Sequence, residues 1–170
     1  ISASLFMARL ISDLQYKALM ADSPAGLLEQ VNTLLCQRSS KGMFVTLVYL
    51  VLDIPNRRLV FSNAGHPRPV YTAAGQASFM GQDQSKGPPL GILDGITYNQ
   101  EEIVLDPGSM VTLYTDGITE ARNPEGVLFG QDRLLLAIEK SPLEPKDMTS
   151  QILDTVVRHA RGETGGDDLT

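Results

Sequence analysis

The sequence has one cysteine, Cys36, no tryptophan and only two histidines among 170 residues. A single cysteine excludes an internal disulfide and is typical of a reducing compartment, so we expect a cytoplasmic protein. The spacings of Cys and His that form zinc sites are also absent. Cys36 lies in a leucine-rich helical stretch, which favours a packed side chain over a nucleophile.

Long apolar runs and blocks of positive charge are missing as well. No run approaches the ~20 residues that span a bilayer, and no signal peptide is visible. The net charge is −6 and the pI is near 4.8. Because nucleic-acid backbones are bound by clustered cations, we expect no nucleic-acid partner. A serine nucleophile elbow, a phosphate-binding glycine loop and a dinucleotide fingerprint are also absent.

The composition that remains is typical of a globular domain, with 42% hydrophobic and 20% charged residues. The length predicts one domain, residues 1–170. Periodicity predicts helices over 2–20, 24–38, 131–140 and 147–161. Strands are predicted over 43–52, 58–63, 69–73, 97–105 and 110–114, with a short one near 77–80. Helices and strands in separate blocks indicate an α+β fold.

The strand predicted over 43–52 is almost continuously apolar and rich in β-branched and aromatic residues. Such a composition is typical of a strand that is covered on both faces. We therefore expect this strand to be buried on both faces, in the middle of a layered fold.

Two acidic positions are candidates for chemistry. The strand over 110–114 stops at Thr115-Asp116-Gly117, and a strand ending in Asp-Gly holds a carboxylate at the rim of a sheet. Asp167 and Asp168 follow two glycines near the end of the chain. Carboxylates at sheet ends suit Mg²⁺ or Mn²⁺, so these aspartates are candidate metal ligands. The alternative at both positions is a plain turn without a ligand.

Six short motifs follow one another in an order that resembles a known family. They are Phe44-Val45-Thr46-Leu47, Asn63-Ala64-Gly65-His66-Pro67, Pro89-Leu90-Gly91, Leu113-Tyr114-Thr115-Asp116-Gly117-Ile118-Thr119-Glu120-Ala121, Phe129-Gly130 and Asp167-Asp168-Leu169-Thr170. Together they resemble the bacterial serine/threonine phosphatases of the SpoIIE/RsbU type, a branch of the metal-dependent 2C-like (PPM) protein phosphatases. The resemblance covers nearly the whole chain.

The resemblance implies a four-layer α-β-β-α sandwich with two ions of Mn²⁺ or Mg²⁺ at one end of its sheets. By position it makes Asp116 and Asp167 metal ligands, with Asp168 as the alternative to Asp167. Two such ions share and acidify a water that attacks phosphorus, so no phosphoenzyme is required. His66 corresponds to a place where eukaryotic relatives carry an acidic group near the metals. It is a candidate for phosphate binding or proton donation, and a loop histidine fixed by backbone hydrogen bonds is the alternative.

The sequence departs from the family pattern at its start. The segments Gly-Asp-Phe/Tyr-Tyr-Asp and Asp-Val-x-Gly-His/Lys-Gly, which carry the bridging metal ligand in the family, should precede the first helix. The chain begins without Met inside that helix and stops where a strand should begin. We therefore expect a piece of a larger protein whose sandwich is incomplete at the N-terminus and at the C-terminal strand, and which is inactive alone. Missing strands would leave unpaired sheet edges.

Family analogy also suggests partners. The expected substrate is a phosphorylated regulatory protein of the anti-anti-sigma-factor type, within a bacterial stress or developmental response. An upstream sensory domain in the same chain and a homodimer through the first two helices are expected on the same grounds. The alternative is a catalytically inactive phosphatase-like module that binds a partner or relays a signal.

Overall fold

Five helices and six strands make up the part of the chain that the computed structural model describes, residues 3–38, 43–82 and 85–160. The helices are α1 Ala3–Ala18, α2 Pro24–Arg38, α3 Asp116–Glu120, α4 Gly130–Glu139 and α5 Pro145–His159. The strands are β1 Leu47–Asp53, β2 Arg58–Ala64, β3 Val70–Ala73, β4 Gln76–Phe79, β5 Gln100–Val104 and β6 Met110–Thr112. Two compact units contain them: Ile1–His66 with Gly81–Leu105, and Pro67–Met80 with Asp106–Thr170.

In the first unit, the antiparallel strands follow the order β1-β2-β5. A turn over residues 54–57 joins β1 to β2. The carboxylate of Asp53 closes this turn, because it accepts hydrogen bonds from the side chain of Asn56 at 2.7 Å and from the backbone N–H of Asn56 at 3.2 Å. These bonds hold the pKa of the Asp53 carboxyl below its usual value. Helix α2 packs on β1 and β2, and α1 packs on α2. The buried residues of this core are Leu10, Leu27, Leu28, Val31, Leu35, Ala64, Leu90 and Tyr98.

The beginning of α2 is capped by a side chain. The hydroxyl of Ser23 accepts a hydrogen bond from the backbone N–H of Gly26 at 3.1 Å, and Pro24 is the first helical residue. A side-chain oxygen that satisfies a free N–H, followed by a proline that needs no partner for its own nitrogen, is a strong local start signal.

The expectation that the strand over 43–52 is buried on both faces is wrong. None of the residues of β1 is buried, and the side chains of Val51 and Leu52 are 45% and 50% exposed. The reason is the strand order, since β1 has one neighbour among the described strands whereas β2 has two. Strand β2 is accordingly the buried one, since Leu59, Phe61 and residues 62–64 are all buried.

In the second unit, the antiparallel strands follow the order β4-β3-β6. Helix α4 packs on β3 and β4, and both α3 and α5 pack on α4. The buried residues of this core are Val70, Tyr114, Ile118, Phe129, Leu134, Ala137, Ile138, Met148, Ile152 and Val156. In α5, Ile152 and Val156 are buried in this core, whereas their apolar neighbour Val157 is 37% exposed.

Each unit is thus a small antiparallel sheet with helices on it, which confirms the α+β class. Successive strands change sheet three times, because β1, β2 and β5 belong to one sheet while β3, β4 and β6 belong to the other. The stacking of the two sheets into four layers stays a prediction, as does the single domain, and the expected C-terminal strand lies outside the described residues. Among those residues, no helix combines the length and the apolar character needed to cross a membrane.

Candidate metal site

Asp116 is the first residue of the short helix α3, and the irregular link 113–115 joins it to the end of β6. The backbone N–H of Ile118 donates to the carbonyl of Thr115 at 3.2 Å, which closes the turn that begins the helix. Gly117 and Ile118 are buried, whereas Asp116 is exposed. The predicted carboxylate therefore lies at the end of a strand and is open to solvent, and a short helix replaces the plain turn.

Two buried side chains anchor this junction. Tyr114 precedes Asp116 and is 5% exposed, and Ile118 follows it and is 2% exposed. Both belong to the core of the second unit. Burial raises the pKa of the Tyr114 hydroxyl to about 12, an effect that the nearby Arg68 partly opposes. Because the residues on both sides are packed into the core, the backbone of Asp116 is held in place while its side chain stays accessible.

Arg68 is a positively charged residue in the same unit as Asp116. Its guanidinium lies over the ring of Phe79, 5.0 Å from the ring centroid, and it influences Tyr114 electrostatically. A guanidinium stacked on an aromatic ring keeps its charge while losing freedom of movement. Arg68 therefore presents an ordered positive charge on the unit that carries Asp116.

The described residues do not by themselves fit a two-ion centre. No group of three or more His, Cys, Asp or Glu side chains among them is arranged to hold a metal. Asp167 and Asp168 fall in 161–170, outside the described residues, so their pairing with Asp116 stays a prediction. One exposed carboxylate supplies too few ligands for a hard divalent cation, which takes six or more oxygens.

His66 lies in a loop of the first unit whose geometry is set by its neighbours. The side-chain oxygen of Asn63 accepts from the backbone N–H of His66 at 2.8 Å, and its amide donates to the His66 carbonyl at 3.0 Å. The imidazole Nδ1 lies 3.3 Å from the hydroxyl of Thr46. These bonds support the alternative of a histidine fixed by its loop, and a role in phosphate binding or proton donation stays a prediction.

Gly65 allows the loop of His66 to lie close to the Pro-Leu-Gly motif. Its φ is +77°, and a Cβ on this residue would come within 2.7 Å of the Cγ of Pro89. Only glycine combines that backbone conformation with so close an approach. The loop of His66 and the Pro-Leu-Gly motif are therefore packed against each other within the first unit.

Sequence reasoning missed Asn32, whose side chain is 0% exposed in α2. Its amide donates to the carbonyl of Leu93 at 2.8 Å, and its side-chain oxygen accepts from the N–H of Gly91 at 2.8 Å. The available signal was a polar residue on an apolar helix face, four positions after Leu28. A buried amide in such a place needs partners, and here they are the backbone of Gly91, the last residue of the Pro-Leu-Gly motif, and that of Leu93 just after it.

Cys36, on the same helix, is half-buried, with its sulfur 3.8 Å from the side-chain oxygen of Asn32. Burial raises the pKa of its thiol, and Asp94 raises it further. Since the thiolate is the reactive form, both effects agree with the prediction of a packed side chain.

Comparison with protein families identifies the family to which the whole chain belongs. The sequence model of the family described as Stage II sporulation protein E (SpoIIE) matches residues 1–170. The protein IcfG of Synechocystis sp. (strain ATCC 27184 / PCC 6803 / Kazusa) is 31% identical over 79% of this chain and 21% of its own length. The phosphoserine phosphatase RsbU of Bacillus subtilis (strain 168) is 27% identical over 79% of this chain and 40% of its own length. The chain therefore spans less than half the length of these relatives.

Solved structures show the same fold. The PP2C phosphatase domain of SpoIIE from Bacillus subtilis, solved with a fragment of its regulatory domain, superposes with a TM-score of 0.79 at 17% identity, over 95% of this chain and 47% of that one. A manganese-presoaked structure of the SpoIIE phosphatase domain gives 0.67 at 16% identity, over 95% and 70%. RsbX in complex with magnesium gives 0.62 at 15% identity, over 95% and 68%. The fold is therefore PP2C-like.

Proposed function

The chain belongs to the SpoIIE family of protein serine phosphatases, and on that basis we propose that it contributes to hydrolysis of phosphoserine and phosphothreonine on a regulatory protein. The observation that carries the proposal is the family match over residues 1–170, within which the Thr-Asp-Gly motif places Asp116 on an anchored, solvent-open junction. RsbU, which shares 27% identity, is a phosphoserine phosphatase, and this supports a phosphomonoester of serine as the substrate class.

We propose that the activity depends on two ions of Mn²⁺ or Mg²⁺. The support is that SpoIIE was solved after manganese presoaking and RsbX in complex with magnesium. When bound, such a pair supplies Lewis acidity, which makes water a better nucleophile and offsets charge on phosphoryl oxygens. Asp116 would provide one ligand and Asp167, or alternatively Asp168, another.

Substrate and assembly follow from family analogy. We propose a phosphorylated regulatory protein of the anti-anti-sigma-factor type as the substrate, an upstream sensory domain in the parent protein, and a cytoplasmic location. The proposed homodimer through α1 and α2 is supported by apolar side chains that α1 leaves exposed: Leu5 at 66%, Ile11 at 50% and Tyr16 at 62%. Exposed apolar surface of this kind is typical of interaction sites.

A second candidate is a catalytically inactive module that binds a partner or relays a signal. It is favoured by one observation: the described residues contain no cluster of three or more metal-ligating side chains. The two candidates make opposite predictions for metal-dependent turnover by the full-length native protein.

The test is hydrolysis of a phosphoserine peptide and of p-nitrophenyl phosphate by the full-length protein, with and without Mn²⁺. Asp116→Asn should lower kcat/KM at least about 100-fold, because loss of a metal ligand costs more than loss of a residue that only orients one. Asp132→Asn is the matched control, since Asp132 is an exposed carboxylate in the first turn of α4 and belongs to none of the six motifs, and its activity should stay within about twofold.

Two results would count against this assignment. Full activity in Asp116→Asn would remove Asp116 from the metal site. Absence of any Mn²⁺-dependent turnover in a folded wild-type protein would favour the inactive module.

A further inference from the structure

A groove of about 550 Å³ lies between α4 and α5 in the second unit. Its lining consists of Phe129, Arg133, Leu136, Ala137, Lys140, Gln151, Thr155, Arg158 and His159. The amide of Gln151 on α5 donates to the carbonyl of Lys140 at the end of α4, at 3.2 Å, and so ties the two walls together. The groove has the size of a ligand-binding site and is formed by packed helices rather than by loops.

The charge of this lining is one-sided. Three cations, Arg133, Lys140 and Arg158, line the groove beside His159, and no Asp or Glu does. The salt bridges Arg9–Asp13 and Arg58–Glu102 lie outside this groove. In a chain with a net charge of −6 and only 14 Lys and Arg residues, this concentration of cations produces a local field opposite to that of the whole chain.

Hydrogen bonds fix the two guanidinium groups without neutralising them. Arg133 donates through Nη1 to the carbonyls of Leu128 and Phe129, both at 2.9 Å. Arg158 donates through Nε to the carbonyl of Asp154 at 3.1 Å and through Nη2 to the hydroxyl of Thr155 at 3.2 Å. Because every acceptor is a neutral oxygen, both charges remain available to an anion, in orientations that are already set.

Helix dipoles do not account for the whole set. Arg158 and His159 lie in the last turn of α5, where a cation complements the macrodipole. Arg133 is the fourth residue of α4, near the end where the dipole disfavours a cation, and Lys140 belongs to another helix than Arg158. The ammonium of Lys140 has no hydrogen-bond or ion-pair partner among the described residues.

The floor of the groove is apolar. Phe129 and Ala137 are buried there, and Leu136 is 49% exposed beside them. His159 is fixed against this floor, with its ring 5.4 Å from that of Phe129 in an edge-to-face arrangement and its Nε2 donating to the carbonyl of Val127 at 3.0 Å. An apolar floor inside a cationic rim complements a segment that presents an apolar side chain flanked by carboxylates.

We propose that the groove between α4 and α5 binds an acidic, amphipathic segment of a partner protein. A free phosphate ion would leave Leu136 and the apolar floor unused, and a membrane surface cannot enter a concave groove between two helices. Neither Asp116 nor His66 lines the groove, which is therefore a site other than the candidate metal site.

The test is fluorescence anisotropy of the full-length protein with two labelled helical peptides that share a leucine face, one with Glu and one with Lys on the polar face. The Glu peptide should bind at least about tenfold more tightly, and its affinity should fall as salt rises from about 0.05 to 0.5 M. The double variant Lys140→Glu/Arg158→Glu should weaken the Glu peptide about tenfold.

Lys146→Glu is the matched control, because Lys146 is an exposed cation on α5 outside the groove, and it should change affinity less than about twofold. If the double variant does not fold, Lys140→Glu alone carries the test, since its ammonium makes no contact that folding would lose. Equal affinity for the two peptides, or unchanged affinity in a folded variant, would overturn the proposal. Displacement of the Glu peptide by millimolar inorganic phosphate would identify a small-anion site instead, and binding only to anionic vesicles would identify a membrane site; either result would overturn it.

Discussion

The side-chain amide of Asn32 donates a 2.8 Å hydrogen bond to the carbonyl of Leu93, 61 positions later in the chain. The same side chain accepts from Gly91 and is inaccessible to solvent. One buried amide thus satisfies two backbone groups of an otherwise irregular segment. The side chain of Asn32 therefore connects α2 to the end of the Pro-Leu-Gly motif within the first unit.

Asn32→Leu should therefore lower the free energy of unfolding by about 1–3 kcal/mol, because it removes the hydrogen bonds of the buried amide to the N–H of Gly91 and the carbonyl of Leu93. Urea unfolding followed by circular dichroism measures the change. Gln37→Leu, on the exposed face of the same helix, is the control and should stay within about 0.5 kcal/mol. Similar values for the two variants would show that the hydrogen bonds of Asn32 contribute little.

Gly65 and Gly108 share a φ of +77° but differ in the space around them. A Cβ at Gly65 would meet Pro89 at 2.7 Å, whereas none of the surrounding atoms lies within 4 Å at Gly108. Gly108→Ala should cost about 1 kcal/mol from backbone strain alone. Gly65→Ala should cost about 2 kcal/mol more, because the proline or the loop of His66 must move. Thermal unfolding of the two variants tests this difference, and equal costs would contradict it.

Tyr98 and Tyr114 are both buried but have different hydroxyl environments. The hydroxyl of Tyr98 donates to the carbonyl of Pro88 at 3.0 Å, while that of Tyr114 has no hydrogen-bond partner among the described residues. Tyr98→Phe should destabilise the protein by about 1 kcal/mol. Tyr114→Phe should be neutral or stabilising, since it removes a buried hydroxyl that gains no bond. Urea unfolding of both variants is the measurement, and a loss at Tyr114 as large as that at Tyr98 would reveal an unrecognised partner.

The same tyrosines predict a loss of stability at alkaline pH. Burial raises the pKa of both hydroxyls from 10.0 to about 12. Below pH 10 each hydroxyl is protonated in the folded and the unfolded state, so these groups add no pH dependence there. Between pH 10 and 12 the unfolded state releases its protons first, and stability therefore falls as the pH rises.

Urea midpoints measured between pH 9 and pH 12 test this loss of stability. The range includes the pKa of the unfolded tyrosines, 10.0, and reaches that of the folded tyrosines, about 12. The comparison is between the wild type and Tyr114→Phe, which differ only in the hydroxyl of Tyr114. The wild type should lose more stability than the variant, by up to about 2 kcal/mol. Parallel curves would show that Tyr114 titrates normally in the folded protein.

Local features of the sequence predicted most of the helices and strands. Ser23 and Pro24 mark the start of α2 because capping depends on residues next to one another in the chain. The hairpin from β1 to β2 follows from the turn residues at Asp53 and Asn56 for the same reason. Asp116 was placed at the end of a strand by the Thr-Asp-Gly motif, and the short helix that begins there was not predicted because five residues are too few for a periodic pattern.

Features that depend on distant residues were not predictable in this way. The most apolar strand, β1, is half-exposed, because burial depends on the order of strands in a sheet rather than on the composition of one strand. The partners of Asn32 lie about sixty positions away, and the cations of the groove come from two helices whose pairing no local pattern states.

The sequence by itself determined the α+β class, the boundaries of most elements, the family and the candidate ligand Asp116, because all of these depend on periodicity, neighbouring residues or the order of short motifs. The tertiary structure alone decided which strand is buried, what the amide of Asn32 holds, and that Arg133, Lys140, Arg158 and His159 line one groove. The physical reason is that burial, long-range hydrogen bonds and local electric fields arise from residues brought together by packing, and packing is a property of the whole fold.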